Sequence, residues 1–158
     1  MGIYSSLPLW ASAVGGLSGG ALNDILARRW GLRFARRAVG LSGKLLGAAL
    51  IGFSLQLEDG RSAMVVVAAA KFFSDFSQPT VWGTVTDIAG RASGRVFGLV
   101  NTAGSLGGFL AGPVLGAIKQ DYGWPALFWT IGWAYVLSGL AWLVIDPTRK
   151  LVLDAPKE

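Results

Sequence analysis

Lys71, Asp75, Gln78 and Trp82 are the residues of this sequence best suited to chemistry. They sit at i, i+4, i+7 and i+11, so on one α-helix they fall within about 60° of one another. The segment around them, Ser62–Thr86, is otherwise uncharged. An ionised side chain inside a membrane span costs at least about 2.5–3.5 kcal/mol on insertion scales, and it normally faces a partner or a water-filled cavity. Lys71 and Asp75 can pair one turn apart, although the Lys-before-Asp order is the weaker one. Two uses fit this stripe. One is a structural ion pair that fixes helix register; the other is a substrate or proton site in an aqueous cavity. Pro79 removes an amide donor at mid-span, which frees the carbonyl of Asp75 and predicts a kink.

A second stripe follows. Asn101, Ser105, Gly108 and Gly112 share a face, and Asn101 can either hold a polar ligand or hydrogen-bond a neighbouring helix. Between Arg95 and Lys119 lie 23 residues without a formal charge. At 1.5 Å per residue they make about 34 Å of helix, enough to cross a hydrocarbon core of about 30 Å. Gly104, Gly108, Gly112 and Gly116 recur every fourth position. Such glycines weaken a helix in water, but in lipid they let a neighbouring backbone come close. They are expected to be a helix-packing face, and Pro113 predicts a second kink.

A third cluster is Gly20 and Asp24, followed by Arg28, Arg29, Gly31 and Arg33. A carboxylate at a helix end can bind an arginine or a neighbouring helix N-terminus, which makes a breakable charge latch. The plainer reading is a solvated basic loop near anionic lipid.

The elements that must position these residues follow from composition. Of 158 residues, 53% are hydrophobic and 15% charged, with mean hydropathy +0.52. Soluble domains carry about 25% charged residues. An all-α, polytopic membrane helix bundle is expected, with spans near 3–22, 38–57, 62–86, 96–118 and 124–145 and a tail over 146–158. Trp124 and Trp142 near the ends of the last span fit interfacial belts. Connections that share one side carry ten Lys and Arg; those on the other carry only Arg61 and Lys119. The positive-inside rule therefore predicts a cytoplasmic C-terminus and an outside N-terminus, in an inner or plasma membrane. Lys44, about two turns into the second span, is expected to snorkel toward the cytoplasmic surface.

Several classes are excluded. The chain has no cysteine and no histidine, so thiol catalysis, disulfides, Cys/His zinc sites and a histidine base are absent. No nucleophile elbow is present, so an enzyme is not expected. Neither are a cofactor, a metal or a signal peptide. The net charge of +5 is explained by the basic loops rather than by nucleic acid.

The ordered residues carry a resemblance. The Gly20–Asp24 stretch with the basic residues after it looks like motif A of the major facilitator superfamily. Downstream come Phe73-Ser74-Asp75-Phe76, Trp82, Asp87-Ile88, Gly94, Gly98, Asn101, Gly104, Gly107-Gly108, Pro113, Gly116, Gly123-Trp124, Phe128, Trp142 and Ile145-Asp146-Pro147. This set resembles the C-terminal part of the anion:cation symporter branch, which includes hexuronate, glucarate and phthalate carriers. Ala89-Gly90-Arg91 departs from the proline that many relatives carry there. The resemblance implies helices eight to twelve of a twelve-helix carrier, hence a partial C-terminal half whose N-terminal helices are missing. It implies symport of a small organic anion with H⁺ or Na⁺. Lys71, Asp75, Gln78, Trp82, Asn101 and Ser105 would line the path, and the motif A residues would form the latch. The alternative is a non-transporting helix module that assembles with a partner chain through its glycine faces.

Overall fold

A computed structural model describes residues 2–151, with side chains for 6–151. Lys157 and the rest of the expected tail beyond 151 lie outside the described residues. The described chain is α-helical with one 3₁₀ turn and no strand: α1 Gly2–Trp30, α2 Leu32–Ser54, α3 Gly60–Phe76, α4 Gln78–Ala89, then the 3₁₀ turn Gly90–Ala92. A helical stretch Ser93–Val144 follows, broken at Gly123, whose φ of 81° is left-handed. Residues 93–122 are α5 here, and 124–144 are α6. The all-α bundle expected from composition is the fold. By length and composition, the helical region Gly60–Val144 is apolar enough to cross a membrane.

Three boundaries differ from expectation. The stretch Asp24–Arg37 is not a loop. α1 continues through Arg28 and Arg29, whose charges suit a helix C-terminus, and the Gly31 N–H still bonds the Ala27 carbonyl at 3.1 Å. Gly31 alone turns the chain, at φ 87°, and α2 starts at once. The stretch Lys119–Gly123 is also helical up to its last residue, because the glycine by itself supplies the reversal. The break at Pro79 is present, two residues early: Pro79 lies in the first turn of α4, and the Ser77 N–H donates to the freed Asp75 carbonyl. Pro113 makes no such break; Gly123 is the non-helical residue of that stretch.

Glycines set the order of helices in space. α1 meets α3 at Gly15 and Gly19, where any Cβ would lie inside the backbone of Phe72 and Phe76. α2 meets α3 at Gly43, where a Cβ would sit 2.7 Å from the Phe73 carbonyl oxygen. α6 runs antiparallel to α2: Tyr135 fills the hollow of Gly47 and Trp142 that of Gly40. These seams enclose a small core of Ala35, Val39, Ile51, Ala68, Ala70 and Trp142.

The expected packing face of Gly104, Gly108, Gly112 and Gly116 has no neighbour among the described residues. A Cβ at any of them meets nothing within 4 Å, and residues 101–110 are all exposed. α5 is tied to the bundle near its start, where Trp82 stacks on Phe97 at 5.3 Å. Beyond that, no described helix is placed to use its glycine face.

Candidate functional site

Asp75 lies on the last turn of α3, on the side turned to α1. Its Oδ2 accepts a hydrogen bond from Lys71 Nζ at 2.5 Å and another from the Ser12 hydroxyl of α1. The Lys71 side chain is 44% exposed and that of Asp75 is 18% exposed. The carboxylate is thus held from two helices while its ammonium partner reaches open space. A groove of about 410 Å³ opens here, lined by Ser12, Gly16, Asp75, Gln78, Pro79 and Trp82. The helix break at Ser77 keeps Gln78 and Trp82 on the groove wall although they belong to α4. Such a site can hold a cation against the carboxylate, or an anion against the ammonium, with an amide and an indole as further contacts.

Asn101 and Ser105 are not part of it. Both are exposed on α5 with no hydrogen bond among the described residues. The spacing that aligned them on one face says nothing about where that face points once α5 leaves the bundle.

The expected latch is rearranged. Asp24 is exposed and makes no ion pair or hydrogen bond among the described residues; Arg28 and Arg29 are exposed as well, and Arg29 lies over the Trp30 ring at 5.9 Å. A Cβ on Gly20 would lie 3.7 Å from the Pro79 ring. The carboxylate that arginine binds at this end is Asp87 of α4. Arg36 donates to it from Nε at 3.1 Å and Nη2 at 2.9 Å, with only 11% of the Arg36 side chain exposed. The guanidinium fills the space that a Cβ on Gly83 would need. Arg33 sits 3.7 Å from Asp146, and Arg37 Nε donates to the Ile145 carbonyl at 3.2 Å. Thr148 donates to Asp146 from its side chain and backbone, which holds that carboxyl below its ordinary value. Because α1 is helical through Arg29, Asp24 stays on its outer face. Arg36 instead shares the inner face of α2 with Gly40, Gly43 and Gly47. That shared spacing was the available signal for it.

Three further contacts complete this half. Asn23 is buried and donates to the Thr80 hydroxyl at 2.6 Å. Leu151 N–H donates to the Ile88 carbonyl at 2.9 Å, which ties the segment after α6 to α4. Lys44 does not snorkel. Its Nζ donates to the Ser74 hydroxyl at 3.1 Å and lies 5.2 Å from the Tyr135 ring. Gly139 of α6 leaves room for its stem, so the bundle interior is the shorter path to a partner.

Comparison with known proteins settles the family. The model described as Major Facilitator Superfamily matches residues 1–158. The chain belongs to the Major Facilitator Superfamily. It is accordingly an integral membrane chain. It is 32% identical to a probable sulfoacetate transporter of Cupriavidus necator, over all of this chain and 37% of that protein. It is 31% identical to a D-galactonate transporter of Escherichia coli, over 91% of this chain and 34% of the relative. It is 27% identical to a chloroplastic sodium-dependent phosphate transport protein of Arabidopsis thaliana, over 96% of the chain and 30% of the relative. The chain therefore spans about a third of the length of these relatives. All three are named as transporters of anions, in keeping with the anion:cation branch.

Proposed function

We propose that this chain supplies the last five helices of a secondary carrier for small organic anions, a sugar acid or another carboxylate, driven by H⁺ or Na⁺ through alternating access. The observation that carries it is the Asp75 carboxylate, held by Lys71 and Ser12 on the wall of a groove shared with Gln78 and Trp82. Asp75 takes the coupling cation. Cation binding there releases Lys71, whose ammonium then meets the substrate's negative charge. The relatives' names support the substrate class, since sulfoacetate, D-galactonate and phosphate share anionic charge. The Arg36–Asp87 pair and the Arg33–Asp146 contact form the cytoplasmic latch, with the N-terminus outside as the basic residues imply.

The exposed glycine face of α5 favours a second reading, in which the chain assembles with partner helices and does not itself transport. One reconstitution separates the two. The chain is placed in proteoliposomes with a supplied N-terminal half, and uptake of D-galactonate or sulfoacetate is followed under an imposed H⁺ or Na⁺ gradient. The carrier reading expects driven uptake that Asp75→Asn abolishes while expression is kept. Driven uptake that survives Asp75→Asn removes the residue from coupling, and no uptake with an intact assembly leaves the module.

A further inference from the structure

One flank of α2, lying beside α6, is only partly covered by the bundle. Phe34, Ala38, Leu41, Leu45, Ala48 and Gly52 recur at spacings of four and three, so they form one stripe within about 40° either side of its centre line. The residues that α2 buries, among them Ala35, Val39, Gly43 and Gly47, lie on the opposite side. At 1.5 Å per residue the stripe is about 27 Å long. Two grooves sit along it. The first, of about 500 Å³, is bounded by Trp30, Arg33, Phe34, Arg37, Ala38 and Leu41. The second, of about 710 Å³, continues from Leu45 to Gly52 and is walled by α6 through Trp129 and Trp133.

The first groove is charged at one end only. Arg33 is 56% exposed, and its approach to Asp146 is too long for a hydrogen bond. Arg37 gives a single donor to the Ile145 carbonyl. A guanidinium carries five N–H donors, so both keep most of theirs. Thr148 takes Oδ1 of Asp146 and leaves Oδ2 facing Arg33 at 3.7 Å, Asp87 is spent on Arg36, and no carboxylate lies between Arg28 and Arg37. Trp30 and Phe34 meet edge to face at 5.4 Å beside these arginines, and both are more than half exposed. Arginines at one end, amphipathic aromatics beside them and an apolar channel leading away match an amphiphile with an anionic head.

We propose that this flank holds one anionic glycerophospholipid, its phosphate on Arg33 and Arg37 and an acyl chain lying along Ala38, Leu41 and Leu45 toward the second groove. The stripe is longer than an ordinary acyl chain needs. The inference depends on the chain being embedded in a membrane; it shares Arg33 with the proposed latch, but its groove lies on the other side of α2 from Asp75, so retention of lipid and driven uptake are read separately.

The test is native mass spectrometry of the 158-residue chain released from bilayers of equal parts phosphatidylglycerol and phosphatidylcholine. An interfacial arginine is worth about fivefold in affinity for anionic lipid. One phosphatidylglycerol is expected to be retained over phosphatidylcholine, with the preference falling about fivefold in Arg33→Gln and further in Arg33→Gln/Arg37→Gln. Arg28→Gln/Arg29→Gln is expected to keep it. Ala38→Trp, which fills the channel and leaves both guanidinium groups, is expected to lose the bound lipid; it decides the matter alone if the double arginine variant does not fold. Equal retention of both lipids, or a preference unchanged by Arg33→Gln/Arg37→Gln or by Ala38→Trp, overturns the proposal. So does displacement of the lipid by inorganic phosphate at millimolar concentration, which would show a site for the phosphate group alone.

Discussion

α1 and α5 carry the same sequence device with opposite results. Gly15 and Gly19 of α1 lie four apart and are sealed against the α3 backbone, while Gly104, Gly108, Gly112 and Gly116 of α5 lie four apart and face open space. The difference lies in what stands opposite. α3 offers Phe72 and Phe76, whose rings stack with each other at 6.2 Å and leave the backbone free to approach α1. No described helix offers α5 such a surface. A glycine repeat therefore marks a place where a helix can come close, and its partner has to be found elsewhere.

The comparison is broken most severely by bulk. Gly19→Leu is expected to separate α1 from α3, at a cost of about 1–3 kcal/mol or more, and to expose Asp75 on all sides. Gly108→Leu in the same chain should change stability by less than about 0.5 kcal/mol. Thermal unfolding followed by size-exclusion fluorescence in detergent compares the two. If the proposed N-terminal half is supplied, Gly108→Leu is expected to weaken assembly instead, because its face then has a neighbour.

The next effect concerns the charged end. Arg36→Gln strips Asp87 of its partner in a half-buried setting and should cost about 1–3 kcal/mol. Gly83→Ala pushes the same guanidinium aside, so the two changes should be strongly non-additive in a double-mutant cycle. Additive losses would mean that Arg36 and Gly83 act separately. Gly123→Ala comes third. It forces a Cβ into a left-handed φ, at about 1–2 kcal/mol, and should loosen the junction of α5 and α6 without touching the α1–α3 seam.

The smallest effect is one of pH. The Ser62 backbone N–H caps α3 through Asp59, and the Ser62 hydroxyl adds a second bond; together they hold the Asp59 carboxyl below its ordinary value of 3.8. A depressed carboxyl stabilises the folded chain above its unfolded value, and that contribution is lost as pH falls through the folded one. Asp59→Asn should therefore flatten the acid side of the unfolding profile slightly. An unchanged slope below about pH 4 would show that the cap is not formed in solution.

The helices were legible in the sequence because long uncharged runs admit few other structures in lipid. Their ends were not, since the arginines after Asp24 read as a loop by charge while helix geometry tolerates them up to Gly31. The pairing of Lys71 with Asp75, and the presence of Gln78 and Trp82 beside them, followed from local spacing. Ser12, Arg36 and Asp87 did not, because each meets its partner across at least fifty residues of chain. Lys44 was misjudged for a related reason: its route to Ser74 and Tyr135 opens only when Gly139 is brought beside it. Asn101 and Ser105 show the opposite limit, since a shared face is local knowledge and its direction depends on a neighbour.

The absence of cysteine makes the central claim directly measurable. Single cysteines at Gln78 and at Ala48, with one at exposed Gly60 as reference, can be labelled in open membranes with a charged, water-soluble maleimide. A groove that admits water to Asp75 predicts that Gln78→Cys reacts about as readily as the reference while Ala48→Cys, on the lipid flank, stays unlabelled. An unreactive Gln78→Cys, or equal labelling at Ala48, would contradict it.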